Sequence, residues 1–144
     1  MHNKSNIKFF IPDTESTLES ILISSGISAG FPSPAGDFKQ DRISLDKELI
    51  KNKEATFFAR VSGQSMVGAG LDNNDLLVID RSLEPTNNKI AVCLIDGEFT
   101  VKRLKVENDR IWLKPENLDY KPIEITEENQ FIIWGIVTNV IKKV

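Results

Sequence analysis

From residue 56 onward the chain alternates short apolar runs with clusters of turn residues. The pattern predicts strands at Phe57 to Ser62, Leu76 to Asp80, Ile90 to Ile95, Phe99 to Leu104, Ile111 to Leu113, Ile123 to Ile125 and Ile132 to Ile141. Asp72-Asn73-Asn74-Asp75, Asn87-Asn88, Asp96-Gly97 and Asn108-Asp109 supply turns between them. Asp96-Gly97 is the strongest hairpin signal, because a type I′ turn needs two successive residues that tolerate positive φ. It pins the register of the strand that follows, where Phe99, Val101 and Arg103 share one face and Thr100, Lys102 and Leu104 the other. Alternation alone does not say which face is buried.

Residues 1–40 read differently. Ser24-Ser25-Gly26, Ser28-Ala29-Gly30, Phe31-Pro32-Ser33-Pro34 and Ala35-Gly36 concentrate residues that oppose both helix and central strand. This predicts an N-terminal arm with little structure of its own, containing at most a short helix or strand over Glu15 to Ile23, ahead of a β domain at 41–144. Ser44-Leu45-Asp46-Lys47-Glu48-Leu49-Ile50 suggests a short helix capped by Ser44, with Lys47 in the Glu place of a capping box and Leu45, Leu49 and Ile50 on one face.

Composition narrows the chemistry. A chain of 144 residues has room for one domain, and 40% hydrophobic with 27% charged residues fits a globular chain with a core. The net charge of -3 gives no sign of a nucleic-acid or anionic-membrane surface, so DNA contact, if any, is expected to be indirect. Phe131-Ile132-Ile133-Trp134-Gly135-Ile136-Val137 falls far short of the roughly 20 apolar residues of a membrane helix, and Met1-His2-Asn3-Lys4 opens no signal-peptide core. A cytoplasmic protein with a reduced thiol is expected. Cys93 is the one cysteine and His2 the one histidine, which removes internal disulfides, a Ser-His-Asp triad and a Cys/His zinc site.

The most unusual local sequence is Val61-Ser62-Gly63-Gln64-Ser65-Met66-Val67-Gly68-Ala69-Gly70, directly after a predicted strand. A serine on a tight, glycine-flanked turn at a strand end can expose its Oγ and aim backbone N–H groups at a developing oxyanion. The same string also fits an ordinary β loop with incidental serines. A nucleophilic serine needs a base, and only Lys, Asp, Glu or Tyr remains. Lysine serves where burial favours its neutral form, which takes a pKa of about 10.4 down by roughly three units. A strand lysine such as Lys102 is chemically suitable, though most strand lysines are solvated side chains.

Three stretches together resemble a known family. Gly63-Gln64-Ser65-Met66, then Leu71-Asp72-Asn73-Asn74-Asp75-Leu76-Leu77-Val78-Ile79-Asp80, then Asp96-Gly97-Glu98-Phe99-Thr100-Val101-Lys102-Arg103-Leu104 are similar to the LexA/UmuD family of self-cleaving Ser-Lys peptidases. Ahead of them, Ala29-Gly30-Phe31-Pro32-Ser33-Pro34-Ala35 resembles the Gly-Phe-Pro-Ser-Pro-Ala stretch of the family's UmuD-type members, so the likeness runs from about Ala29 to the C-terminus. It implies a compact, mostly β fold of the LexA/UmuD C-terminal kind behind a poorly structured arm. It also implies Ser65 as nucleophile, Lys102 as general base, Ala29-Gly30 as the scissile bond and an oxyanion hole of backbone N–H groups at Gln64 and Ser65. No cofactor or metal is implied. The partners implied are a second copy in a homodimer, a RecA-DNA filament that stimulates cutting in the SOS response, and a UmuC-type translesion polymerase.

The residues around the cut agree. Ala29 suits a narrow pocket, Gly30 permits close backbone approach, and Pro32 and Pro34 keep the segment out of regular structure. Two positions depart from the family pattern: Gln64 stands where Asp is frequent, and Asn74-Asp75 where Gly-Asp is. The first acts through its backbone and the second is a turn that Asn tolerates. Other readings make different demands. A LexA-type repressor needs a helix-turn-helix head, for which about 29 residues before the cut leave no room. A signal peptidase needs a membrane anchor, and a non-catalytic β interaction module would leave Ser65 and Lys102 without a task. Trp112 and Trp134 read as core or interface, Cys93 as an inert buried thiol and His2 as a disordered terminal residue.

Overall fold

The computed structural model describes residues 7–13, 19–23, 40–62, 69–114, 116, 121–128 and 130–144. These form strands β1 (Ile7–Phe10), β2 (Glu19–Ile23), β3 (Gln40–Ser44), β4 (Thr56–Val61), β5 (Leu76–Asp80), β6 (Ile90–Ile95), β7 (Glu98–Glu107), β8 (Arg110–Lys114), β9 (Ile123–Glu124) and β10 (Phe131–Ile141). One short helix, α1 (Leu45–Leu49), and a 3-10 turn at Lys53–Ala55 complete the set. The mostly β class expected from the patterning is what the chain adopts. Two compact units are present, one of Met1–Pro12 with Glu54–Val144 and one of Asp13–Lys53.

The larger unit is an eight-stranded antiparallel sheet in the order β1-β4-β5-β10-β6-β7-β8-β9. Two-residue turns set much of its register. Asp96 and Gly97 hold φ of 47° and 84°, closing β6 onto β7 with Ile95 opposite Glu98. Asn108 and Asp109, at φ of 50° and 62°, close β7 onto β8 in the same way. That second turn explains why β7 outruns its expected end at Leu104: pairing continues to Glu107 opposite Arg110.

Apolar side chains pack on both faces of the sheet. Ala59, Val61, Leu71, Leu77, Ile79, Val92 and Val101 form one cluster, and Ala91, Cys93, Leu104, Leu113 and Ile136 the other. Strand β10 serves both because its register shifts between Ile133 and Gly135 and again between Val137 and Asn139. The first shift puts Trp134 against one cluster and Ile133 with Ile136 against the other, which uninterrupted alternation forbids. Trp134 meets Phe57 and Phe9 at ring-centroid distances of 5.1 and 4.6 Å, and the Arg81 guanidinium lies 4.4 Å over it.

The smaller unit pairs β2 with β3 antiparallel, Glu19 opposite Ser44 through Ile23 opposite Gln40. Strands thus extend into the head of the chain: β2 falls within Glu15 to Ile23, where a short helix or strand was expected, and β1 was not expected. Helix α1 lies where it was expected, with Ser44 at its N-cap, but without the expected capping contacts. The Ser44 side chain makes no capping bond, Leu45 is 63% exposed rather than on a shared apolar face, and the helix closes through Ile50 N–H donating to Asp46 O at 2.8 Å. Five residues leave too little helix for an apolar stripe to form.

Candidate active site

Of the site residues expected from the sequence, Lys102 is described, whereas Ala29, Gly30, Gln64 and Ser65 lie outside the described residues. Lys102 sits mid-strand in β7, half-buried and directly opposite Ala91 of β6. Alternation places it on the face that carries Leu104, Ala91 and Cys93, all fully buried. The question that patterning left open is therefore resolved: both faces of β7 are covered near Lys102, since Val101 is buried on the other side.

Cys93 shares this face. Burial pushes its thiol up to about 12, and the Lys102 charge pulls in the opposite direction. The Sγ lies 3.8 Å from Ala91 O, and the thiol stays protonated at neutral pH. The expected inertness of Cys93 thus has a physical cause.

The loop that contains Ser65 leaves the sheet at β4 and returns at β5, and its described shoulders are tied together. Val61 N–H donates to Asp75 O at 3.0 Å, and Asn74 N–H donates back to Val61 O at 2.8 Å. Arg60 adds a guanidinium bond to Asn74 O at 2.9 Å. Leu71 is fully buried and anchors the returning limb in the core, while Asn74 and Gly70 adopt φ of 72° and 80° to make the turn.

Asp75 carries a second tie that the sequence did not reveal. It accepts a bond from Asp72 N–H at 2.8 Å and an ion pair from Lys142, which also reaches Asp72 at 2.9 Å. Asp72 and Asp75 were legible only as turn residues, and no local pattern connects them to a lysine near the C-terminus. Burial raises the Asp75 carboxyl, but the Lys142 ammonium and the Asp72 N–H outweigh it and hold it below its ordinary value of 3.8. Lys142 is raised by the same contacts, to Asp75 first and then Asp72. A lowered acid stabilises the fold above its unfolded pKa and ceases to as pH falls through the folded one; a raised base does so below its unfolded pKa. Both contributions are therefore present at neutral pH. Lys142→Met is expected to lower Tm at pH 7, by a margin that shrinks as pH falls below 3.8. Thermal melts across that range check this, and a margin unchanged at acid pH contradicts it.

Comparison with known proteins bears on the same residues. The Peptidase S24-like family matches residues 21–138. Protein MucA of Salmonella typhimurium is 42% identical over 114 residues, covering 78% of this chain and 77% of MucA. Protein ImpA of Shigella flexneri is 42% identical over 122 residues, covering 85% and 83%. Protein SamA of Salmonella typhimurium strain LT2 is 44% identical over 115 residues, covering 80% and 79%. The likeness to LexA/UmuD-type peptidases read from three separate stretches thus holds over most of the chain, which belongs to the Peptidase S24-like family.

Proposed function

We propose that the chain is a serine peptidase that cuts its own Ala29-Gly30 bond. Neutral Lys102 takes the Ser65 hydroxyl proton as Oγ attacks the Ala29 carbonyl carbon, and backbone N–H groups at Gln64 and Ser65 receive the charge on the carbonyl oxygen. The C–N bond to Gly30 then breaks, with the proton delivered to the departing amine. Water, deprotonated by the same lysine, hydrolyses the ester and frees residues 1–29 from residues 30–144. Because the substrate is tethered to the enzyme, its local concentration replaces affinity, and docking of the cut segment governs the rate.

The observation that carries this reading is the family match over residues 21–138, a span that contains the scissile pair, the serine and the lysine. The half-buried place of Lys102 in the middle of β7, beside buried apolar residues, supports it, since a base must be held in one position. The finer reading places the protein in the cytoplasm as a UmuD-like factor of SOS mutagenesis. A RecA-DNA filament stimulates the cut, and the shortened homodimer joins a UmuC-type translesion polymerase. The acidic balance of the chain supports contact with DNA through partners rather than directly. The test is the intact mass of the purified chain with and without RecA-DNA filament. A fragment of residues 30–144 that accumulates faster with filament is expected, and a mass unchanged in both contradicts the reading.

A further inference from the structure

Strand β1 closes one edge of the eight-stranded sheet. Among the described residues it pairs only with β4, Ile7 opposite Val61, Lys8 opposite Arg60, Phe9 opposite Ala59 and Phe10 opposite Phe58. On the other side of β4, Val61 exchanges bonds with Asp75 and Asn74, so alternation turns the amides of Phe58 and Arg60 toward β1. Without β1 those two donors have no strand partner. The side chains follow the backbone. Ile7 and Phe9 pack against the cluster that contains Ala59 and Val61, and the Phe9 ring meets Phe99 at 4.8 Å and Trp134 at 4.6 Å. Lys8 and Phe10 face outward. The edge of β4 is thus a site already filled by an extended segment, with main-chain pairing for affinity and one aromatic socket for selectivity.

We infer that the β4 edge is a strand-addition site, filled by β1 in the intact chain and opened to an extended peptide segment of the same alternation, aromatic at the Phe9 position, once β1 is released. The release rests on the cut at Ala29-Gly30 proposed above, whereas the site itself does not. While the chain is continuous, the tether keeps β1 at an effective concentration on the order of millimolar. After the cut, β1 belongs to a separate fragment at the concentration of the protein itself. The fragment of residues 1–29 is then held by two short strands, β1 on β4 and β2 on β3, and its removal leaves the β4 edge open. Cutting thereby turns a self-satisfied edge into one that accepts a partner.

Hydrogen exchange at the Phe58 and Arg60 amides tests this, with Val78 and Val92 as internal references for the folded core. In the intact chain both edge amides are expected to be protected. They should exchange at least about tenfold faster in the cut chain freed of its fragment, and in uncut full-length chains carrying Lys8→Pro or Phe9→Asp. Lys8→Pro removes a ladder donor while leaving the ring cluster in place, so it remains informative if Phe9→Asp fails to fold. A synthetic peptide of residues 5–12 should restore protection in the cut chain and in the variants, and leave the intact parent unchanged. The uncut variants decide the matter even if the chain never cleaves itself. Edge amides that stay protected in Lys8→Pro, or exchange freely in the intact parent, overturn the proposal. So does a peptide that restores nothing, or protection in the cut chain that grows with protein concentration, which assigns the edge to a second copy.

Discussion

Ser65→Ala and Lys102→Ala are each expected to leave the chain whole under conditions that cut the parent, with rates lower by about a thousandfold or more. In the proposed mechanism each change removes one half of a proton-transfer pair, and two halves acting as a unit do not compensate for one another. Lys102→Arg sharpens the test. Arginine keeps the length and charge of the side chain and fills the same half-buried place opposite Ala91, but it cannot surrender its proton at any accessible pH. If Lys102 were only a packing or charge-pairing residue, Lys102→Arg would cleave nearly as the parent does. Its expected behaviour is that of Lys102→Ala, with an unchanged melting curve. Intact mass spectrometry against time reads all three variants. Cleavage that persists in Ser65→Ala or Lys102→Arg means the dyad is misassigned.

The largest purely structural effect is expected at Gly135. A Cβ at this position would lie 2.5 Å from Ile79 Cγ2 and 3.2 Å from Arg81 Cγ. The arginine can move aside. Ile79 cannot, because its side chain is fully buried within the cluster that includes Leu77 and Val92. The glycine also sits at the register shift that allows β10 to place Trp134 and Ile136 on opposite faces. Gly135→Ala is therefore expected to destabilise by about 1–3 kcal/mol, the range for forcing an extra methyl into a packed core. Urea unfolding with an unchanged m-value should show it. A difference within about 0.5 kcal/mol would mean that the strand shifts without strain.

Much of the fold follows from local chemistry. β5 and β6 fall on their expected residues, and the Asp96-Gly97 hairpin has the backbone angles its composition demands, because both depend on near neighbours. What escaped depends on distant residues. β1 is a four-residue strand whose one strand partner among the described residues is β4, more than forty positions away. The two shifts in β10 exist because the strand must satisfy cores on both faces, a demand that its own apolar run does not encode. The Lys142 tie to Asp72 and Asp75 is of the same kind. The site divides similarly. The counts exclude histidine and paired cysteine but leave several bases open, and it is the resemblance of three stretches to a known family that singles out Ser65 and Lys102, whereas the burial around Lys102 required the placement of Ala91, Cys93 and Leu104 in space.

Self-cleavage between Ala29 and Gly30 is the claim on which the rest depends, and the mass of the protein itself tests it most directly. The purified full-length chain, incubated alone at mildly alkaline pH, should slowly give two species, residues 1–29 and residues 30–144. Both masses should appear together and neither in the Ser65→Ala chain. A parent mass that stays unchanged, at that pH and with RecA-DNA filament present, would contradict the account.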